Sequence, residues 1–133
     1  DYLNARGYKV VVISKEKTNL KGIINRTNRP MEETINTIQH ADLFLGISTG
    51  PSWLAWALDV PVVLISGYSA LWGEWQDNCA RIGAPEGKCS GCFNDRDAVF
   101  DRGNWNWCPR SKNFECSTSI TPESVMKGIS KFI

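Results

Sequence analysis

The amino-acid sequence predicts an α/β fold built on a Rossmann-like, doubly wound parallel sheet. Three short apolar segments, at residues 8–14, 42–47 and 62–66, have the composition of strands, and two helical segments separate them. The third segment, V-V-L-I-S, is apolar without alternation, as expected of a parallel strand that is covered on both faces. The order β-α-β-α-β then predicts parallel pairing with right-handed crossovers.

Length and charge favour one globular domain without an obvious polyanionic partner. The chain has 133 residues, 42% of them hydrophobic and 22% charged, which suffices to bury a core. Fifteen basic and fourteen acidic residues leave a net charge of +1, so nothing overall favours nucleic acid or an anionic membrane. No apolar run approaches the ~20 residues of a membrane span, and no secretion signal is evident. We therefore expect a cytoplasmic protein.

The first elements are a helix end, a strand and a complete helix. Residues 1–6 have the character of a helix end that Gly7 terminates, so the sequence is expected to begin within a domain. The β-branched strand at 8–14 follows, and residues 15–29 are polar and basic without a clear period. A helix is predicted over residues 30–40, because Pro suits its first turn and apolar residues recur there at i, i+4 and i+7.

The middle of the chain supplies the second helix and the third strand. After the strand at 42–47, Pro51 can begin a helix, and residues 53–58 are apolar on nearly every side. Such a helix is expected to be buried. Asp59-Val60-Pro61 ends it and leads into the strand at 62–66.

The last third of the chain contains a long irregular segment and a terminal helix. Residues 68–119 show no convincing helical or strand period, and a loop of that length needs some other source of stability. Thr121 suits an N-cap and Pro122 the first helical position, which predicts a C-terminal helix within residues 121–133. We assign residues 79–117 to a cysteine-rich finger inserted before that helix.

Four of the five cysteines have the spacing of metal ligands. Cys89-Ser-Gly-Cys92 is followed after fifteen residues by Cys108, and after seven more by Cys116. Four thiolates can enclose one tetrahedral ion, and sulfur ligands without His suit either iron or zinc. Four protein ligands leave no open position, which indicates a structural metal. Scattered buried thiols are the alternative, and Cys79, without a partner at this spacing, is interpreted as a packed residue.

Aromatic residues flank these cysteines. Phe93 follows Cys92, and Trp105 and Trp107 precede Cys108. Their rings can cover the sulfurs or, alternatively, the edge of the sheet.

The segment G-I-S-T-G at residues 46–50 matches the G-x-S-x-G pattern of serine hydrolases. In that fold a His follows the Ser, but the one His of this chain, His40, precedes Ser48 and suits a surface helix end. Hydroxyl groups, a glycine and a helix N-terminus after a parallel strand favour instead a phosphate site formed by Ser48, Thr49 and Gly50. A plain turn without ligand is the alternative.

With these motifs in view, the chain resembles the C-terminal, nucleotide-sugar-binding domain of the heptosyltransferases, glycosyltransferase family 9 with the GT-B fold. It is most similar to their bacterial autotransporter branch. The resemblance covers nearly the whole chain and rests on four segments: A-D-L-F-L-G-I-S-T-G-P-S-W-L-A-W-A-L-D-V-P-V-V-L-I-S-G, C-S-G-C-F-N-D, F-D-R-G-N-W-N-W-C-P and F-E-C.

The resemblance implies roles for the loop after the second strand. In the wider family this loop reads D-[ST]-G-x-x-H, and its Asp, Thr, Gly and His contact the donor. Thr49 and Gly50 match directly, which implies contacts to the donor diphosphate, whereas Ser48 and Trp53 replace the family Asp and His. Ser52, within the same loop, completes the implied donor site.

The resemblance also implies donor contacts for residues further upstream. Glu16 matches an acidic residue that the family places near the donor ribose, and Lys15, with Lys17 and Lys21, would oppose the diphosphate charge. A solvated basic loop is the alternative for the lysines.

The resemblance implies transfer of a heptose from ADP-heptose to a hydroxyl of a glycan or a protein, such as an autotransporter adhesin, with inversion. The catalytic base and acceptor site belong to an N-terminal domain that this sequence lacks, so we expect no catalytic residue here and no turnover by these 133 residues alone. The cysteine finger of the autotransporter branch is iron-binding, and homo-oligomerisation is left open.

Two other functions remain open. One is a metal-stapled binding or oligomerisation module that presents Trp72, Trp75, Trp105 and Trp107 to a partner. The other is a different GT-B member, such as a UDP-sugar epimerase or another enzyme that uses a nucleotide sugar.

Overall fold

The computed structural model describes residues 2–99 and 106–133, which form two compact units, Asp1–His40 and Ala41–Ile133. Both contain parallel strands, so the predicted α/β class with parallel pairing is confirmed. Within the described ranges, no helix is long and apolar enough to cross a membrane.

The first unit contains two very short strands and one helix. A 3₁₀ turn at Asn4–Arg6 ends at Gly7, whose φ of 83° is the left-handed conformation predicted for a helix terminator. Strand β1, Val11–Val12, pairs in parallel with β2, Ile24–Asn25. Helix α1, Met31–Gln39, begins directly after Pro30 and confirms the helix predicted over residues 30–40. The strand predicted at 8–14 is thus shorter than expected, and β2 lies in a segment without a strand pattern.

The second unit is a three-stranded parallel sheet with the strand order β3-β4-β5. Its elements, in chain order, are β3 (Phe44–Ile47), α2 (Gly50–Ala57), β4 (Val62–Ile65), β5 (Cys79–Ile82), α3 (Glu115–Thr118) and α4 (Pro122–Ile129). The register places Phe44 beside Val62, and Val62 beside Cys79. The sequence therefore located β3 and β4, but the third strand of this sheet is β5, and the predicted strand at 8–14 pairs with β2 instead.

Strand β4 is the centre of the core. Val62, Val63 and Leu64 are fully buried, so both faces of the strand are covered, as its continuous apolar sequence predicted. Helix α2 packs against β3 and β4, and helix α4 against β4 and β5. Gly128 brings α4 close to the sheet, because a Cβ there would lie 2.6 Å from Cδ1 of Ile82.

Helix α2 is less buried than its apolar sequence predicted. Ser52 and Ala55 are its fully buried residues, whereas Trp53 and Trp56 are 43% and 38% exposed. The two exposed indoles are covered in part by a third, because the ring centroids of Trp53 and Trp56 lie 4.4 and 5.6 Å from that of Trp75. The expectation of a fully buried helix is wrong, since aromatic stacking at the surface takes the place of burial in the core.

Helix α4 has the predicted N-cap. The side chain of Thr121 accepts a hydrogen bond from the backbone N–H of Ser124 at 3.3 Å. We expect Thr121→Ala to lower the free energy of unfolding by about 1 kcal/mol, because the first turn loses its acceptor. Thr121→Ser keeps the oxygen and should restore most of that loss in urea denaturation. Equal losses in both variants would show that the cap does not carry the effect.

Candidate functional site

The loop between β3 and α2 is held in shape by a buried serine. Ser52 is completely buried, and its hydroxyl donates to the carbonyl oxygen of Ile47 at 2.5 Å. The close approach depends on Gly46, because a Cβ there would lie 2.8 Å from Oγ of Ser52. Ser52, predicted to contact the donor, thus has a structural role within the loop.

Thr49 and Gly50 form the exposed part of the loop. Thr49 has extended backbone, and its carbonyl oxygen accepts the N–H groups of Ser52 and Trp53 at 3.0 and 3.2 Å. Both Thr49 and Gly50 are exposed, which leaves them accessible to a ligand. Gly50 lies in the helix, and a Cβ there would meet nothing within 4 Å. The turn therefore does not require glycine at position 50.

Ser48 belongs to a hydrogen-bond network that the sequence did not reveal. Its hydroxyl donates to Oε1 of Glu74, in the segment between β4 and β5. The other carboxylate oxygen of Glu74 accepts from Nη2 of Arg81, on β5, at 2.6 Å. Because an ionised carboxylate only accepts hydrogen bonds, the proton of Ser48 is committed to Glu74. Ser48, predicted to help form the phosphate site, therefore donates to Glu74 in this structure and can accept a hydrogen bond from a ligand.

The Glu74–Arg81 pair is buried and closely supported. The two side chains are only 9% and 5% exposed. Nη2 of Arg81 also donates to Oγ of Ser66 at 2.7 Å, and Ser66 lies 2.6 Å from Oγ of Ser69. Among the described residues, Nε and Nη1 of Arg81 have no hydrogen-bond partner. The guanidinium thus makes its hydrogen bonds through Nη2, and its charge is compensated by Glu74.

A cavity of about 310 Å³ opens beside this network. Its walls combine aromatic rings, a carboxylate, a hydroxyl pair and an amide, contributed by Ser48, Trp53, Tyr68, Ser69, Gly73, Glu74, Phe93 and Asn94. Asn94 is fixed at its rim, because its Oδ1 accepts the backbone N–H of Ala70 at 2.8 Å. The cavity is large enough for a group the size of a sugar ring, and it lies directly against the β3–α2 loop.

Tyr68 faces an environment that keeps its phenol neutral. Burial raises the pKa of Tyr68, and the negative charge of Glu74 raises it further. Its ring stacks edge-on against Phe93, with the ring centroids 5.6 Å apart. Tyr68 and Phe93 therefore present a protonated hydroxyl and an apolar ring face on one wall of the cavity.

The other predicted donor residues belong to the first unit. Glu16 and Lys15 are exposed there, and the backbone N–H of Glu16 donates to Oγ of Ser14 at 3.1 Å. His40 is exposed at the end of α1, with its Nδ1 2.8 Å from the carbonyl oxygen of Asn36. This is the surface position predicted for His40, and Ser48 bonds to a carboxylate instead of an imidazole. Nucleophile chemistry at Ser48 accordingly has no support.

The residues around Cys92 and Cys116, here called the cysteine segment, contact the chain just after β4. The N–H of Gly91 donates to the carbonyl oxygen of Gly67 at 3.4 Å, and that of Phe93 to the carbonyl oxygen of Tyr68 at 3.1 Å. Cys116 is buried, and the backbone there approaches Gly67 so closely that a Cβ on Gly67 would lie 2.0 Å from the Cys116 carbonyl oxygen. Trp105, predicted to cover the sulfurs or the sheet edge, lies outside the described residues, and Trp107 is half-buried.

The four predicted metal ligands are free thiols that influence one another. Burial raises the pKa of Cys92, and the charges of Cys116, Cys89 and Cys108 raise it further. Backbone N–H groups, that of Phe114 first, hold the pKa of Cys108 below its usual value. Across residues 2–99 and 106–133, however, no three metal-ligating side chains are arranged to share an ion. The predicted four-cysteine metal site is therefore not confirmed, although the thiols share one neighbourhood and suit a soft, tetrahedral ion.

Comparison with known proteins decides the family. The model of glycosyltransferase family 9 (heptosyltransferase) matches residues 2–100. The chain belongs to this family. The match includes β3, the β3–α2 loop, Glu74 and Arg81, and it stops before Cys108 and Cys116.

Several heptosyltransferases are similar over almost the entire chain. The autotransporter heptosyltransferase BAHTCr of Citrobacter rodentium is 37% identical over 98% of the chain, and TibC of Escherichia coli O78:H11 is 36% identical over 98%. BimC of Burkholderia thailandensis, described as an inactive autotransporter heptosyltransferase, is 30% identical over 96%. The chain spans only about 35% of the length of BAHTCr and TibC.

A solved structure of TibC has the same fold. It is described as a dodecameric, iron-containing heptosyltransferase in complex with ADP-D-beta-D-heptose. It matches 98% of this chain and 38% of its own length, with a TM-score of 0.85 at 35% identity.

Proposed function

We propose that this chain supplies the donor-binding part of a heptosyltransferase that transfers heptose from ADP-heptose to a hydroxyl of an autotransporter protein. The observation that carries the proposal is the similarity to TibC, whose solved complex contains ADP-D-beta-D-heptose and matches the chain with a TM-score of 0.85. The acceptor site and the catalytic base are then provided by the part of the enzyme that corresponds to the remaining two thirds of its relatives. On this proposal the 133 residues alone do not turn over donor.

The exposed loop is the proposed cradle for the donor diphosphate. Thr49 offers a hydroxyl and Gly50 an accessible backbone at the N-terminus of α2, where the helix dipole favours negative charge. Transfer releases ADP as the leaving group. Hydrogen-bond donors that bind the diphosphate more tightly as its charge develops therefore accelerate the reaction. On the family resemblance, Glu16 and Lys15 are proposed as ribose and phosphate contacts.

Nucleotide preference tests this proposal. In the full-length protein, calorimetric titration should show binding of ADP-heptose and ADP, and much weaker binding of a UDP-sugar. We expect Thr49→Val to lower the affinity for both ADP-heptose and ADP by about 10-fold, the usual effect of losing a hydrogen bond to a charged group. Ser130→Ala removes a hydroxyl at the exposed end of α4 and serves as control. Preference for the UDP-sugar, or unchanged affinity in Thr49→Val, would contradict the proposed cradle.

We propose further that Cys89, Cys92, Cys108 and Cys116 hold one structural iron or zinc ion. TibC is described as iron-containing, and the four sulfurs suit either metal. Backbone N–H groups already point at the Cys108 sulfur, that of Lys112 at 3.3 Å, and such contacts favour the thiolate form that binds metal. The four cysteines would then cross-link the irregular segment between β5 and α3 through the ion. Because all four ligands would come from the protein, no position would be open for catalysis.

Metal analysis of the purified full-length protein checks this site. We expect about one iron or zinc ion per chain, and Cys92→Ser should lose most of it and unfold at lower temperature. Cys79→Ser is the matched control, because Cys79 lies on β5 and should leave the metal content unchanged. A wild-type protein without either metal, or equal metal loss in both variants, would argue against the four-cysteine site.

A further inference from the structure

Among the described residues that line the cavity, Glu74 is the acidic one, and the proposed diphosphate cradle makes no use of it. Its carboxylate is held on several sides at once: Ser48 donates to Oε1, and Arg81, Ser69 and Ser66 approach Oε2 at 2.6, 3.3 and 3.4 Å. Such a carboxylate is oriented before any ligand arrives. Glu74 itself lines the cavity, whereas Arg81 does not.

The hydrogen-bonding groups at this position are unsuited to the diphosphate itself. Phosphate oxygens and the Glu74 carboxylate are both acceptors, and Ser48, with its proton donated to Glu74, offers the cavity only an acceptor. Two acceptors side by side require a ligand that donates hydrogen bonds. Neutral hydroxyl groups meet that requirement and carry no charge penalty.

The remaining walls suit the same kind of ligand. Trp53, Tyr68 and Phe93 present aromatic surface, and Asn94 and Ser69 add polar groups at the edge. Aromatic faces pack against the C–H face of a sugar ring, while carboxylates and amides bind its hydroxyls, so the combination is selective for polyhydroxylated rings.

We infer that Glu74 is a specificity-determining residue that accepts hydrogen bonds from the sugar hydroxyls of the nucleotide-sugar donor, and that Arg81 is the residue that positions it. This inference rests on the proposed function, because it places the sugar next to the diphosphate bound at Thr49 and Gly50. It also separates the two halves of the donor: the β3–α2 loop binds the diphosphate, and the Glu74 cavity binds the sugar.

Comparing ADP with ADP-heptose in the full-length protein tests the inference. Glu74→Gln should lower the affinity for ADP-heptose by about 10- to 100-fold, the range for hydrogen bonds to a charged group. The affinity for ADP should change by less than about threefold. Glu74→Asp retains the charge but withdraws the carboxylate, so it should show the same selective loss even if Glu74→Gln folds poorly. Ser130→Ala is the control, because Ser130 lies at the exposed end of α4 and does not line the cavity.

Each outcome decides one point. A selective loss of affinity for ADP-heptose in Glu74→Asp, with the ratio of the ADP-heptose and ADP affinities unchanged in Ser130→Ala, supports the sugar contact. A parallel loss of affinity for both ligands, or no loss for either, overturns the sugar contact and leaves the proposed function intact. A wild-type protein that binds neither ADP nor ADP-heptose overturns the proposed function, and the sugar contact with it.

Discussion

Replacing Arg81 with Met should lower the free energy of unfolding by about 3–5 kcal/mol, because it leaves the buried carboxylate of Glu74 without a counter-charge. That loss is a large fraction of the ~5–15 kcal/mol that stabilises a typical domain. Urea denaturation followed by tryptophan fluorescence measures it, since Trp75 is buried in the same segment as Glu74.

The double variant Arg81→Met with Glu74→Met distinguishes charge from packing. Because replacing both members of a buried pair with apolar residues is often neutral, the double variant should recover most of the lost stability. A loss below about 1 kcal/mol in Arg81→Met would show that water or another group already compensates Glu74, whereas no recovery in the double variant would show that packing and not charge carries the loss.

Gly67→Ala should be comparably damaging, by about 3 kcal/mol or more. A Cβ at this position would lie 2.0 Å from the carbonyl oxygen of Cys116 and 2.6 Å from its carbonyl carbon. Both atoms belong to the backbone, so no rotation of a side chain relieves the overlap, and the cysteine segment must move away from the end of β4. Thermal denaturation of the full-length variant measures the effect.

Gly50→Ala is the matched control for that measurement. A Cβ on Gly50 meets no atom within 4 Å, and the residue lies in helix α2, so stability should change by less than about 0.5 kcal/mol. Similar losses in the two variants would contradict the assignment of the Gly67→Ala effect to the close approach of Cys116.

The elements that were predictable from the sequence are those with local signals. Thr121 and Pro122 marked the start of α4, and the apolar run at Val62 marked a strand covered on both faces. Pro51 similarly marked the first turn of α2. In each case a backbone requirement or a periodic pattern is written in neighbouring residues, so no knowledge of distant contacts was needed.

Strand β5 was missed because its sequence, C-A-R-I, contains a charge. An arginine in a short segment argues against a buried parallel strand unless its counter-ion is known, and Glu74 lies seven residues earlier in an irregular segment. The pair exists only once β4 and β5 are adjacent. The exposure of Trp53 and Trp56 has a similar origin, since their stacking partner Trp75 is brought to them by the fold.

The candidate site was predictable in part for the same reason. Thr49 and Gly50 follow from a strand, a loop and a helix in sequence order, together with the family resemblance. The roles of Ser48 and Ser52 do not, because each depends on the partner that its hydroxyl finds: Glu74 for the first and Ile47 for the second.

Hydrogen–deuterium exchange of the full-length protein with and without ADP-heptose tests the donor site most directly. We expect saturating ADP-heptose to slow exchange in the peptide that covers residues 46–53, and a UDP-sugar at the same concentration to leave it unchanged. Unchanged exchange in that peptide, while ADP-heptose binds at saturation, would contradict the assignment of the β3–α2 loop as the donor site.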